Sequence, residues 1–170
     1  MLGVDTPEGQ RLLGEERKAV SLFLRHFPAL GWIDTPKQHP VTVDGFLYLS
    51  RKQQAQHLSA VVEVKTRRTS VEEQCERYGP HLMITAEKLI RGAEISRLCY
   101  APFVLMLWFV EDCTLYVWKM TDRRGRFLVP FEARPMNVRE SLTGGRTERF
   151  CAFLPLSAAK QYKEPNSKND

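Results

Sequence analysis

The chain has 170 residues, enough for one domain with a substantial core. Hydrophobic residues make up 43% and charged residues 26%, which excludes a collagen-like, low-complexity or charge-driven disordered chain. The formal charge of +5 suits a polyanionic partner without requiring one.

Thr6-Pro7-Glu8 carries the signals of a helix start: a capping hydroxyl, proline at the first position and an acid in the first turn. Leu12, Leu13, Val20, Phe23 and Phe27 then fall on one helical stripe, with Glu16 in its middle and Glu15 well off it. An acid centred on an apolar face is either a rim residue reaching water or the border of a polar site. Pro28 and Gly31 end the helix, and Trp32-Ile33 reads as a short strand closed by Asp34-Thr35-Pro36.

A second strand is expected over 41–49, with Val43, Leu47 and Leu49 on one face and Asp44, Phe46 and Tyr48 on the other. Asp44-Gly45 also fits a turn or bulge. The polar segment 50–57 reads as a hairpin loop. It leads into Ser59-Ala60-Val61-Val62-Glu63-Val64-Lys65-Thr66-Arg67, a buried strand by composition. Alternation puts Val62 and Val64 on one face and Val61, Glu63 and Lys65 on the other, so a carboxylate and an ammonium stand side by side. Taken alone, Glu-x-Lys is a cross-strand salt bridge on a half-exposed sheet.

Arg67-Arg68 forms a basic corner. Thr69 and Ser70 each stand three residues before an acid, Glu72 and Glu73, a capping-box pattern that starts a helix carrying Gln74 and Tyr78 one turn apart. Gly79-Pro80 breaks or kinks it, and a second helical piece is expected to about residue 91. The apolar run 103–110 is a buried strand, so strand, helix and strand form a parallel crossover. Residues 111–113 turn into a hairpin partner, 114–120. Residues 121–125 are a turn, 126–131 a strand, 135–147 a mobile loop with Gly144-Gly145-Arg146, and 150–156 a last strand. One domain over 1–160 is expected, with a disordered polar tail over 161–170.

Cys75, Cys99, Cys113 and Cys151 show no Cys-x-x-Cys or Cys/His spacing, which argues against a zinc site or disulfide framework and for a reducing compartment. The polar, acidic N-terminus is no signal peptide, and the longest apolar run, 101–110, is too short to cross a bilayer. A cytoplasmic protein without a membrane partner is the expectation.

The order helix, three strands, helix, strand, with Val43-Asp44 at a strand start and Glu63-Val64-Lys65 in a valine-rich strand, resembles the PD-(D/E)XK nuclease superfamily. Gly14-Glu15-Glu16-Arg17-Lys18-Ala19 is similar to the acid motif on the first helix of several branches. Gln74-Cys75-Glu76-Arg77-Tyr78 is similar to their Gln-x-x-x-Tyr element. The likeness spans about residues 14–118, and Val43 stands where the family name has proline. It implies an α/β domain with a mixed central sheet flanked by helices, a restriction-endonuclease-like αβββαβ core with extra C-terminal strands. It implies Mg²⁺-dependent phosphodiester hydrolysis, of DNA before RNA, with Mn²⁺ as a substitute.

Asp44 and Glu63 are the direct ligands expected for the metal. Glu16 is expected as a further ligand or to act through a water, and the resemblance implies the Val64 carbonyl as an additional ligand. Lys65 stabilises developing charge and lowers the pKa of the attacking water. The resemblance also implies that Gln74 positions the phosphate or the lysine, and that Tyr78 does likewise or packs. Arg67 and Arg68 hold the nucleic-acid backbone. Cutting both strands would favour a homodimer. The rival is a nuclease-like fold that binds nucleic acid or protein without turnover. His26, His39, His57 and His81 are scattered and carry no recognisable pattern, His39 being nearest to the Asp44 strand.

Overall fold

The computed structural model describes residues 6–36, 42–50, 57–139 and 146–163. Within them the chain is an α/β protein. A mixed six-stranded sheet is flanked by three helices, and a smaller three-stranded sheet stands beside it.

The first helix, α1 (Pro7–His26), starts where the capping pattern placed it, with the Thr6 hydroxyl accepting the Gly9 amide at 3.1 Å. Strands β1 (Leu30–Asp34), β2 (Gly45–Leu49) and β3 (His57–Arg67) follow as an antiparallel meander. The expected beginning of the second strand at 41 and the loop at 51–56 lie outside the described residues, as does His39. Helix α2 (Val71–Tyr78) is capped by Ser70, whose hydroxyl accepts the Glu73 amide at 3.0 Å. Then come β4 (His81–Thr85), helix α3 (Ala86–Cys99) and β5 (Phe103–Phe109), which lies parallel to β3. Strand β6 (Thr114–Lys119) returns beside β5, so the expected crossover and hairpin are both present.

Alternation along β3 splits the core. Val61 joins the cluster under α3 with Leu89, Phe103, Leu105 and Leu107. Val62 and Val64 join the cluster under α1 with Ala19, Leu22 and Phe23. All seven residues of β5 are buried, as a strand covered by helices on both faces must be.

Four expectations are corrected. The second helical piece expected after Gly79-Pro80 begins only at Ala86. Residues 81–85 are β4, with Leu82 and Ile84 buried against β8 (Arg146–Pro155). A five-residue apolar segment fits a helix or a strand equally, and its partner is seventy residues away. The strand expected over 126–131 is reduced to a single bridge, Thr121 to Phe127. The Asp122 carboxylate accepts the amides of Arg124 and Arg126, which commits that backbone to a turn. Of the mobile loop expected over 135–147, the described residues are strand: β7 (Glu132–Arg139) pairs with β8, which starts at Arg146. Pro135 is tolerated because β7 is an edge of the order β4-β8-β7. The tail expected to be disordered from 161 begins as β9 (Lys160–Lys163), paired with β6, and its Tyr162 packs on Phe23 and Phe27. Residues 140–145 and 164–170 lie outside the described residues.

Gly45 opens β2 for a packing reason. A Cβ there would lie 2.2 Å from the Trp32 ring and 2.6 Å from the Ile33 carbonyl. The β1 backbone therefore sits closer than any side chain permits, and this closeness holds the preceding Asp44 in place. Gly45→Ala is expected to destabilise the fold by about 1–3 kcal/mol, read as a lowered urea midpoint at unchanged slope. A change below about 0.5 kcal/mol would mean that Trp32 and β1 shift freely.

Candidate functional site

Glu63 is the most deeply buried acid described, at 1% exposure. Two ammonium groups meet it. Lys65 Nζ donates to Glu63 Oε1 at 2.5 Å from two residues along the same strand. Lys88 Nζ, from the first turn of α3, stands 3.2 Å from Oε1 and 3.4 Å from Oε2. Removing one carboxylate from water costs several kcal/mol, and attraction to two partly exposed cations offsets that cost.

Asp44 arrives from the neighbouring strand. Its amide donates to the Val62 carbonyl at 2.9 Å, and its Oδ2 accepts the Val64 amide at 2.8 Å. The carboxylate of Asp44 therefore rests on the peptide between Glu63 and Lys65. Its own carbonyl is held by Thr35, through the amide at 3.1 Å and the hydroxyl at 3.0 Å. The Thr35 hydroxyl also lies 2.8 Å from the Val43 carbonyl, and Lys88 reaches the Thr42 carbonyl at 3.5 Å. Segment 42–44 is thus fastened from β1, β3 and α3.

The sheet edge explains why a carbonyl is available here. In an antiparallel pair, a residue's N–H and C=O face the same neighbour. The Val64 N–H faces Asp44, so its carbonyl faces that side too, beyond the point where β2 has begun. Lys65 Nζ meets that oxygen at 3.4 Å.

The acids of α1 are arranged differently from the sequence reading. Glu15 is buried and Glu16, expected at the centre of the buried stripe, is partly exposed. The stripe actually runs through Glu15, Ala19, Leu22 and Phe23, because α1 packs on Val62 and Val64 through those positions. Glu15 Oε1 accepts Arg11 Nη1 at 2.6 Å and lies 3.5 Å from Arg68 Nε. Its Oε2 is buried without a partner. Arg68 also pairs with Glu8, so this arginine ties α1 to the end of β3.

Gln74 is buried, and its Nε2 donates to the His81 carbonyl at 3.0 Å across the α2–β4 turn, away from the lysines. Tyr78, one turn on, is 57% exposed. Arg67 donates to the Thr66 and Met83 carbonyls at 3.0 and 3.4 Å, and burial pushes its pKa below the usual arginine range.

Of the expected site residues, Asp44, Glu63, Val64 and Lys65 come together. Lys88 and Thr35 join them and were not singled out in the sequence. Lys88 could have been found only by knowing that α3 starts at Ala86, which depends on β4. Among the described residues, no three His, Cys, Asp or Glu side chains gather as a ligand cluster. Mg²⁺ asks for only one or two carboxylates and keeps several waters. The oxygen-only set of Asp44, Glu63 and the Val64 carbonyl fits such a hard cation, and the two lysines compensate Glu63 without one.

Lys65 and Lys88 back each other up at one carboxylate. Lys65→Met or Lys88→Met alone leaves Glu63 a partner. The double substitution is expected to cost about 1–3 kcal/mol more than the sum of the singles, measured by denaturant unfolding. Simple additivity would show that the two amines do not share Glu63.

No family model and no curated protein matches this chain.

Proposed function

We propose that the chain is a metal-dependent phosphodiesterase of the PD-(D/E)XK type, hydrolysing nucleic acid, with DNA as the first substrate. One observation carries the reading: the Asp44 carboxylate sits on the Val64 amide, while Lys65 Nζ lies 2.5 Å from Glu63. Asp44, from the segment just before β2, is thereby fastened to the residue between Glu63 and Lys65, and Lys65 reaches both the Glu63 carboxylate and the Val64 carbonyl.

Asp44, Glu63 and the Val64 carbonyl would hold Mg²⁺ or Mn²⁺. The ion, when bound, supplies charge neutralisation at the phosphate and a water of lowered pKa. Lys65 contributes a mobile ammonium beside those oxygens, able to swing from Glu63 to a phosphate oxygen as charge develops there. Lys88 keeps the Glu63 carboxylate compensated while Lys65 is engaged, and it fastens segment 42–44. Thr35 fixes the Asp44 backbone, so its carboxylate needs little reorganisation. The net charge of +5 favours approach of a polyanion.

The second reading is a module of the same fold that binds nucleic acid without cutting it. It is favoured by the two lysines, whose ion pairs compensate the buried Glu63 carboxylate by themselves.

Supercoiled plasmid with Mg²⁺ or Mn²⁺ separates the two. The enzyme nicks or linearises it, EDTA stops the reaction, and Asp44→Ala, Glu63→Gln and Lys65→Ala each lower the rate about 100-fold or more. Retarded plasmid that stays intact with either metal would select the binding module.

A further inference from the structure

Beyond Lys65, β3 runs two residues further to Arg67, on the same face by alternation. There the carboxyl ends of β3 and β5 lie side by side, the edge of a parallel pair where ligands commonly bind. A cleft of about 250 Å³ opens at this point, lined by Arg67, Thr69, Gln74, Arg77, Tyr78 and Met83. Three features of it are unexplained by packing.

The first is Arg67 itself. Among the described residues, Arg11, Arg68, Arg77, Arg91 and Arg126 each meet a carboxylate. Arg67 meets two carbonyls only, using two of its five N–H groups, although it is partly buried and cannot rely on water as an exposed arginine does. A desolvated guanidinium without a counter-charge is costly unless an anion completes it. The second is Thr69, which lines the same cleft and whose hydroxyl is buried just beneath its surface without a hydrogen-bond partner. A buried hydroxyl without a partner is costly, and a ligand oxygen reaching it would relieve that cost. The third is spacing. Two residues of strand separate Lys65 from Arg67 by about 6.6 Å, close to one nucleotide step along an extended strand.

The chemistry of this lining selects its ligand. A planar fork of donors beside a hydroxyl suits a tetrahedral oxyanion, and guanidinium binds phosphate through paired N–H groups. Arg77 stands at the rim, paired with Glu73 at 2.6 Å and mostly exposed, so it can turn inward. The volume takes a phosphate with part of a sugar but no base. Beyond Tyr78 a second, larger cleft of about 400 Å³ begins, with Phe131, Arg134 and Phe153 in its wall, so the chain attached to the phosphate has somewhere to go.

We infer that the Arg67–Thr69 cleft is a phosphate subsite, taking the phosphate next to the one at Glu63 and Lys65 and so setting the register of the strand. The carrier of that phosphate rests on the phosphodiesterase reading; the anion site does not. The same group is either a terminal monoester or an internal diester of the strand, and the probes distinguish them.

The test is metal-free binding by the full chain in EDTA, so that no cleavage intervenes. The probes are inorganic phosphate, followed by its effect on the melting midpoint, and a single-stranded oligonucleotide with a 5′-phosphate or a 5′-hydroxyl, followed by anisotropy at fixed salt. The parent melts higher with phosphate, and Arg67→Met loses that response. Arg67→Met weakens oligonucleotide binding about tenfold or more, and Thr69→Val about fivefold, as expected for a charged and a neutral hydrogen bond. Thr69→Val removes an unpartnered hydroxyl, so it stays as stable as the parent and decides the matter if Arg67→Met fails to fold. A loss confined to the 5′-phosphorylated probe assigns the terminal monoester, and equal losses assign the internal diester. Either folded variant binding every probe like the parent overturns the subsite. Absence of plasmid nicking with both metals overturns the hydrolase and leaves these binding results standing, whereas nicking with unaffected binding does the reverse.

Discussion

A single buried carboxylate organises this molecule's polar interior. Glu63 points from the middle of β3 into the layer beneath α3, where its neighbours are otherwise apolar. A charge in that position survives only if cations reach it, and two do, one from its own strand and one from the helix above. That requirement fixes how α3 sits. Lys88 must reach down to Glu63 and across to the Thr42 carbonyl, so the helix, the strand and segment 42–44 hold one another in register.

The second constraint is where β2 begins. Trp32 and the Ile33 carbonyl crowd Gly45 so closely that the strand cannot carry a side chain there. Just before it, Asp44 leaves the ladder by turning its own side chain onto the Val64 amide. The side chain takes over from the backbone, and the edge of β3 next to Glu63 opens. An acid, a carbonyl and an amine then stand together along one edge of β3. The proposed function therefore rests on an interrupted ladder rather than on an unusual residue.

The insertion of β4 between α2 and α3 has a comparable effect at the end of the sheet. It draws the chain after Tyr78 away to pair with β8, and Gln74 fastens that turn by donating to the His81 carbonyl. The space left beside Arg67 is the cleft assigned to phosphate. Gln74, which the family resemblance implied would work on substrate, therefore shapes the wall of that cleft through the turn it holds. Arg68, its neighbour's apparent twin, is spent on Glu8 and Glu15, binding α1 to β3. Adjacent arginines thus differ because alternation sends one to each side of the sheet.

What the chain declared without its structure was whatever depends on near neighbours. The caps at Thr6 and Ser70, the alternation that separates Val62 and Val64 from Glu63 and Lys65, and the unbroken apolar run of β5 are local patterns, and the α/β architecture with its parallel crossover followed from them. The grouping of Asp44, Glu63 and Lys65 was legible because antiparallel pairing brings close strands together at a foreseeable register. What needed three dimensions was decided by partners far along the chain. Residues 81–85 became a strand because 151–155 pair with them, and Pro135 could enter a strand because its strand has one free edge. Glu15 rather than Glu16 was buried because α1 turned its Ala19 and Leu22 side onto the sheet, a rotation that a one-residue difference on a helix cannot reveal. Lys88 joined the site because α3 begins only after that unforeseen strand. Short-range geometry is written in residue spacing, whereas the choice among equally good spacings is made by packing.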